Sequence, residues 1–244
     1  MVERDPVAFV HRYTDPRDRE IAGFAASQFA YGNVKAMKQF LGRLFDSMGE
    51  SPYAYLSRGD FSSIDRLYYR FQKGSEIIDL FKTLRRILDD YGSVGEMLQA
   101  HWRRDIRETL WNVRERYFPS DSNGLIFFFP KRSPSNPLKR WNLYMRWMVR
   151  KDEIDVGIWR FVDKRDLIVP LDTHLYKIGR CLAWTTVRSQ SWKAACDITS
   201  ALREHSPEDP LKYDFFLCHA VGIEGGCTGR KGAACRERCR VYEI

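Results

Sequence analysis

The chain has 244 residues, 44% of them hydrophobic and 30% charged, which is typical of a globular protein with a sizeable core. No apolar run approaches the roughly 20 residues of a membrane-spanning helix, and the N-terminus has no apolar signal-peptide core. We therefore expect a cytoplasmic protein whose six cysteines are reduced thiols or metal ligands. A formal net charge of +8 favours a polyanionic partner such as a nucleic acid.

Apolar residues recur at helical spacing along most of the chain, and no strand pattern of useful length interrupts them. Ser93 with Glu96 predicts a capping box that opens a long helix through about Tyr117. Residues 119–137 contain several prolines around a short apolar run, which predicts a loop with one packed extended piece. The predicted fold class is all-α. The remaining helices are expected near residues 21–29, 37–45, 77–88, 137–151, 155–162, 172–183, 192–205 and 210–223.

Asn136 followed by Pro137 predicts a helix start, because asparagine is a good N-cap and proline suits the first helical position. Lys139 then lies in the first turn, and Arg146 and Arg150 share its face of the helix. A lysine at the positive end of the helix dipole is unfavourable, and the same field favours the neutral amine that a nucleophile needs. The alternative interpretation is a solvated basic face.

The segment Val-Pro-Leu-Asp-Thr-His, residues 169–174, places Asp172 33 residues after Lys139. Pro170 favours extended backbone before it, and Asp172 is a good N-cap for the helix that follows. The alternative to a functional role is that Asp172 only caps that helix.

Lys139 with its helix, and the segment around Asp172, resemble the lysine and aspartate of the helix-hairpin-helix DNA glycosylases, with an interval nearest to that of the archaeal 8-oxoguanine glycosylases. The chain also resembles an uncharacterised bacterial family placed in this superfamily, on Asp-Pro-Arg-Asp-Arg-Glu at 15–20 and Ala-Tyr-Gly-Asn-Val at 30–34. The resemblance implies a two-lobed helical fold with an atypical helix-hairpin-helix. Residues 20–155 would form the central lobe with the lysine helix, and residues 1–19 plus 156–244 the terminal lobe with the aspartate helix and a cysteine-containing tail.

The same resemblance implies a base-excision-repair DNA glycosylase with AP-lyase activity. Lys139 would form a Schiff base with the sugar of a flipped-out oxidised purine, with 8-oxoguanine favoured, and Asp172 would stabilise the positive charge on that sugar. The chemistry requires no cofactor. The implied partner is double-stranded DNA with a damaged base or abasic site, bound by a monomer at the nucleoid. The alternatives are a non-catalytic DNA-binding protein on the same scaffold and an RNA-directed or structural helical protein.

The resemblance also suggests DNA contacts and a base pocket. Gln28 would fill the gap left by the flipped base, or be a partly buried helix residue. The family's glycine-rich hairpin turn is absent, and the basic, polar segment 131–137 stands in its place. The other predicted DNA contacts are Lys131, Arg132, Ser135, Asn136, Arg140, Arg146 and His174. The predicted stacking residues, each with a core residue as the alternative, are Phe127, Phe128, Trp141 and Trp147.

Four cysteines lie near the C-terminus with the spacing C-x8-C-x7-C-x3-C, namely Cys218, Cys227, Cys235 and Cys239. Their place resembles the iron–sulfur loop of the endonuclease III-like relatives, although the spacing differs. Four thiolates suit a [4Fe-4S] cluster or a structural zinc ion, and free thiols are the third possibility. Cys181 and Cys196 fall within predicted helices and are interpreted as small buried apolar residues.

Overall fold

The computed structural model describes residues 2–117, 123–131, 133–232 and 235–241, which contain helices and no β-strand. The all-α prediction is confirmed for these residues, and no helix among them is both long and apolar enough to cross a membrane. Short 3₁₀ segments and a π-helix, Leu217–Glu224, supplement the α-helices. The α-helices are α1 (Pro16–Gln28), α2 (Val34–Met48), α3 (Pro52–Arg58), α4 (Gly74–Tyr91), α5 (Val94–His101), α6 (Ile106–Tyr117), α7 (Asn123–Phe128), α8 (Lys139–Val149), α9 (Thr173–Cys181), α10 (Trp192–His205), α11 (Asp214–Phe216) and α12 (Cys235–Arg238).

Three predicted elements differ from the structure. Ser93 caps α5 as expected, but the helix stops at His101, and Arg104 takes a left-handed φ of 57° before α6 begins. The apolar run near residue 125, predicted to be extended, belongs to the short helix α7. Residues 155–162 form no helix, because Val156 N and Gly157 N both donate to the Trp147 carbonyl at 2.9 and 3.1 Å and so cap the end of α8.

The chain divides into two compact units, with bounds that differ from the predicted lobes. Unit 1 comprises Met1–Arg132 and Trp147–Val162, and unit 2 comprises Ser133–Arg146 and Asp163–Ile244. The family resemblance implies different lobes for the lysine helix and the aspartate helix, whereas Lys139 and Asp172 both belong to unit 2 of this division.

Unit 1 is organised around α1, whose residues from Glu20 to Gln28 are all buried. The acidic residues of the 15–20 segment brace the surrounding helices. Asp18 accepts hydrogen bonds from Ser51 Oγ at 2.7 Å and Tyr53 N at 2.9 Å, at the start of α3. Glu20 accepts from the first backbone N–H groups of α5. This early sequence mark therefore has a structural role in unit 1.

Unit 2 joins the start of α8 to α9, α10 and the π-helix. Gly179 of α9 allows close packing, because a β-carbon there would lie 2.5 Å from the Ile198 side chain of α10. Gly222 does the same on the other side, since its β-carbon would lie 2.7 Å from His174 Cβ. The two glycines let α9 pack closely between its neighbours, and this packing sets the position of Asp172 at its N-terminus.

Candidate active site

The turn before α8 determines where Lys139 lies. The helix begins at Lys139, later than the Asn136–Pro137 pattern predicts. Asn136 Oδ1 accepts a hydrogen bond from Leu138 N at 2.9 Å, which closes a local turn instead of capping the helix. The Leu138 carbonyl then accepts from Asn142 N at 2.9 Å. Lys139 is consequently the first helical residue, and its side chain is half-buried.

Leu138 holds a strained backbone directly before the lysine. Its φ is 51°, a left-handed conformation that costs a non-glycine residue about 1–2 kcal/mol. The side chain is buried, and Asn142 Nδ2 donates to the Pro137 carbonyl at 3.0 Å, so the surrounding contacts hold the turn. Backbone strain of this kind concentrates at functional sites. A leucine here takes a conformation that glycine adopts without cost.

Asp172 divides its two carboxylate oxygens between two tasks. Its Oδ1 accepts a hydrogen bond from Leu175 N at 2.7 Å and caps α9, as the sequence predicted. Its Oδ2 accepts a hydrogen bond from Cys218 Sγ at 3.3 Å. The carboxylate is half-buried. Helix capping therefore explains one oxygen of Asp172 and leaves the other facing a thiol of the π-helix.

Neighbouring charges of both signs change the pKa of the Cys218 thiol. Burial raises the pKa of the Cys218 thiol well above its usual range, and the Asp172 carboxylate, with its hydrogen bond, raises it further. Asp214 adds to this rise, whereas the positive charge of Lys139 lowers the pKa. Cys218 is therefore a neutral thiol at physiological pH that lies within electrostatic reach of the lysine and in hydrogen-bond contact with the aspartate.

Lys139, Asp172 and Cys218 form what we call the Lys–Asp–Cys cluster, and all three belong to unit 2. They come from the first residue of α8, the N-cap of α9 and the π-helix Leu217–Glu224. π-helical turns are rare and occur frequently at functional sites. Chemically, the cluster offers a thiol that is hydrogen-bonded to a carboxylate and lies within electrostatic range of an amine.

A family model described as a protein of unknown function, DUF2400, matches residues 5–224. The chain belongs to the DUF2400 family. No curated protein and no solved structure matches it. The matched range contains all three residues of the Lys–Asp–Cys cluster and ends before Cys227, so the last three cysteines of this DUF2400 chain lie beyond the family model.

The structure corrects the predicted role of Arg146 in this DUF2400 protein. Its side chain is buried and pairs with Asp214, with Nη1 and Oδ2 3.1 Å apart, and its guanidinium lies 5.5 Å from the Phe215 ring centre. Arg150, predicted on the same helix face as Lys139, is also buried and pairs with Asp155. Both arginines are held by acidic partners inside the fold. Neither presents a free guanidinium to a DNA phosphate.

Burial also corrects the predicted gap-filling glutamine and most of the base pocket. Gln28 is fully buried in α1 and offers no surface to DNA. Phe128, Trp141 and Trp147 are each at most 1% exposed, so they are core residues. Phe127 is half-buried, and its ring packs against Tyr31, Phe71 and Phe128 within unit 1.

The remaining predicted DNA contacts keep some surface. Lys131 and Ser135 are exposed, and Asn136, Arg140 and His174 are half-buried. Arg132 lies outside the described residues. The Ser133 and Ser135 hydroxyls are 2.8 Å apart and order the turn without glycine. These residues stay predictions. Ser135 and Asn136 lie in the segment just before the N-terminus of α8, where backbone N–H groups favour an anion.

The structure does not bring all four of the predicted metal-ligating cysteines to one place. Cys227, Cys235 and Cys239 line one cavity together with Cys181, whereas Cys218 is absent from its lining and bonds to Asp172. Within the described residues, no group of three or more His, Cys, Asp or Glu side chains is already arranged to hold a metal ion. The sequence missed the Cys218–Asp172 contact because the two residues lie 46 positions apart, with no local spacing to connect them.

Proposed function

We propose that the protein is a base-excision DNA glycosylase with AP-lyase activity, acting on an oxidised purine, with 8-oxoguanine favoured. One observation carries the proposal. Lys139 and Asp172, far apart in sequence, both act on the Cys218 thiol, one through its charge and the other through a hydrogen bond. A lysine amine is the nucleophile of Schiff-base mechanisms, and a carboxylate can stabilise the positive charge that forms.

In the proposed reaction the Lys139 amine attacks C1′ of the flipped nucleotide. The bond between C1′ and the base breaks, and the base leaves with its electron pair and takes up a proton. The amine loses a proton, the sugar ring opens, and a Schiff base joins Nζ to C1′. β-Elimination then removes a proton from C2′ and breaks the 3′ C–O bond of the sugar, so that the 3′ phosphate leaves with the electron pair and the strand is nicked. The negative charge of Asp172 stabilises the positive charge that develops on the sugar.

The cap on α9 contributes to this role by holding Asp172 in place. Because Oδ1 is fixed by Leu175 N at 2.7 Å, the second oxygen is preoriented and need not be ordered during the reaction. Cys218 donates a neutral and weak hydrogen bond to that oxygen. A neutral donor of this kind offsets little of the negative charge that the carboxylate would present to the sugar.

DNA binding is proposed from the charge of the chain and the turn before α8. The net charge of +8 attracts a polyanion, and exposed Lys131 and Ser135 lie in the segment that leads to the helix N-terminus. The absence of glycine from this turn and the burial of Arg146 favour the second candidate function. This is a DNA-binding protein on the same scaffold that has lost turnover.

Borohydride trapping distinguishes the two functions. Wild-type protein is incubated with duplexes carrying 8-oxoguanine or an abasic site, and the reduced Schiff base is measured as a covalent complex. We expect trapping in wild type and none in Lys139→Gln, because an amide is not a nucleophilic amine. Lys164→Gln is the matched control, since it removes the charge of an exposed lysine in the same unit.

Three results are informative. Equal trapping by Lys139→Gln and wild type would remove Lys139 as the nucleophile. Salt-dependent binding of both duplexes without trapping would support the non-catalytic alternative. Trapping on the abasic duplex alone, with no release of 8-oxoguanine, would support the AP-lyase activity and would exclude 8-oxoguanine as the substrate.

A further inference from the structure

Unit 2 contains a cavity of about 300 Å³ that is lined by four thiols. We call it the four-cysteine cavity, after Cys181, Cys227, Cys235 and Cys239. Cys181 is the last residue of α9, and Cys227 lies in the loop after the π-helix. Cys235 begins α12, and Cys239 follows its end with a backbone N–H to Cys235 O bond of 2.9 Å. Three separate segments thus bring their thiols to one cavity.

All four cysteines are partly buried and none of them forms a disulfide. Cys181 was interpreted from sequence as a small buried apolar residue. It instead lines the same cavity as the last three cysteines of the chain, in the place expected for Cys218.

The lining of the cavity suits a negatively charged thiolate centre. Arg230, Lys231 and Arg240 line it and would offset the negative charge of four thiolates. Gly232 N donates a hydrogen bond to Cys235 Sγ at 3.4 Å, a contact that also stabilises sulfur when it carries negative charge. The Cys235 thiol donates to the Arg230 carbonyl at 3.7 Å, and this bond alone is lost when the thiol gives up its proton.

The loop is held against α9 by its backbone. Gly229 takes a left-handed φ of +84°, and a β-carbon there would lie 3.1–3.3 Å from Lys177 atoms of α9. This close approach sets the loop beside the last turn of α9, where Cys181 lies. The cysteine from the helix therefore joins the cavity through backbone packing, independently of any bond between sulfurs.

We propose that the four-cysteine cavity binds a thiophilic metal centre, with Cys181 as the ligand contributed by α9. Four thiolates are the ligand set of structural zinc and of iron–sulfur clusters. Each thiol gives up its proton on binding. The described thiols are not yet arranged around one ion, so their side chains must rotate inward on binding. The centre would clamp the C-terminal tail to α9, the helix that Asp172 caps.

The first test measures metal in full-length protein purified without oxygen. We expect one centre per chain, identified by elemental analysis for zinc and iron and by visible sulfide-to-iron absorption for a cluster. Cys181→Ser should lose more metal affinity than the roughly 10–100-fold typical of a change behind the ligands. Cys218→Ser is the matched control and should retain the metal, because its thiol faces Asp172.

A second measurement does not depend on the folding of a variant. Wild-type protein is alkylated with and without a chelator, and each cysteine is read by mass spectrometry. We expect the thiols of the four-cysteine cavity to be protected together and released together, while Cys218 is unaffected by the chelator. Zinc and iron–sulfur occupancy both support the site and are separated by the elemental analysis.

Three outcomes would overturn the proposal. The first is no metal in the purified protein, nor after reconstitution with zinc or with iron and sulfide. The second is a disulfide between cavity cysteines in protein kept free of oxidant. The third is metal retained by Cys181→Ser and lost by Cys218→Ser. These results do not bear on Schiff-base trapping, so the metal site and the proposed enzyme function fail independently.

Discussion

Glu20 of unit 1 and Asp172 of unit 2 are both carboxylates that bind the N-terminus of a helix, yet their surroundings differ. Glu20 is 5% exposed and accepts three N–H groups: Val94 N at 2.8 Å, Gly95 N at 2.9 Å and Trp159 Nε1 at 2.7 Å. Asp172 is half-buried and accepts one backbone N–H on Oδ1 and a thiol on Oδ2. N–H donors bind both oxygens of the Glu20 carboxylate, whereas an N–H donor binds one oxygen of Asp172 and a thiol binds the other.

This difference separates a structural brace from a residue available for chemistry. Both oxygens of Glu20 accept N–H donors inside unit 1, so at least three of the roughly four acceptor positions of its carboxylate are filled. Asp172 keeps one oxygen for a weak donor, and a lysine lies near that donor. Helix capping alone therefore does not distinguish a structural carboxylate from a functional one. In this comparison the distinction comes from the hydrogen-bond partners of the second oxygen.

The largest expected effect comes from Asp172→Asn. Asparagine caps helices as well as aspartate, so the free energy of unfolding should change by less than about 0.5 kcal/mol. The rate of base release should fall by about 10²–10⁴-fold, because the charge that stabilises the sugar is lost. Single-turnover release of 8-oxoguanine measures the rate, and urea denaturation measures the stability.

Asp163→Asn is the matched control for this variant. Asp163 is also an N-cap aspartate of unit 2, accepting from Arg165 N at 2.9 Å. Its release rate should equal that of wild type. Full activity in Asp172→Asn together with a large loss of stability would show that Asp172 has a structural role like that of Glu20. The proposed difference between the two carboxylates would then be wrong.

Glu20→Gln should destabilise the protein by about 2–4 kcal/mol, because an amide has one acceptor oxygen and its NH₂ group would face an N–H donor. Gly95 leaves no room for rearrangement, since a β-carbon there would already lie 2.7 Å from Glu20 Oε1. Urea denaturation measures the loss. Glu115→Gln, at an exposed glutamate of α6, is the control and should be neutral.

The pH dependence of stability sharpens the same comparison. Burial raises the pKa of Glu20 above its ordinary value of 4.5, although Trp159 and the backbone N–H groups of Val94 and Gly95 oppose the rise. An acid with a raised folded pKa stabilises the fold below its unfolded pKa, and this contribution is lost as pH rises through the folded pKa. The slope is at most about 1.4 kcal/mol per pH unit.

We therefore expect the stability advantage of wild type over Glu20→Gln to shrink as pH is raised from about 4.5. Urea denaturation of both proteins across the pH range isolates this group from the others that titrate. An advantage that grows with pH would mean that the N–H donors outweigh burial and that the pKa of Glu20 is lowered.

How much could be predicted depended on whether a signal was local. Apolar spacing and caps predicted α10 at Trp192–His205 and the Asp172 cap, since both depend on neighbouring residues. The charged face of α8 was misinterpreted, because the acidic partner of Arg146 lies 68 positions away at Asp214. Likewise, no spacing rule connects Cys181 with a cysteine at 227.

The smallest expected effect tests the Lys–Asp–Cys cluster itself. The raised pKa of Cys218 should make its alkylation by iodoacetamide slow near neutral pH, because the thiolate is the reactive form. Asp172→Asn removes one cause of the raised pKa and should speed the reaction. Lys139→Gln removes the charge that lowers the pKa and should slow it. Rates at Cys218 are read by mass spectrometry, with Lys164→Gln as the unchanged control. Opposite changes in the alkylation rate of the two variants would show that an amine and a carboxylate both act on the Cys218 thiol, an arrangement that the structural carboxylate Glu20 lacks. Identical rates in all four proteins would contradict the Lys–Asp–Cys cluster.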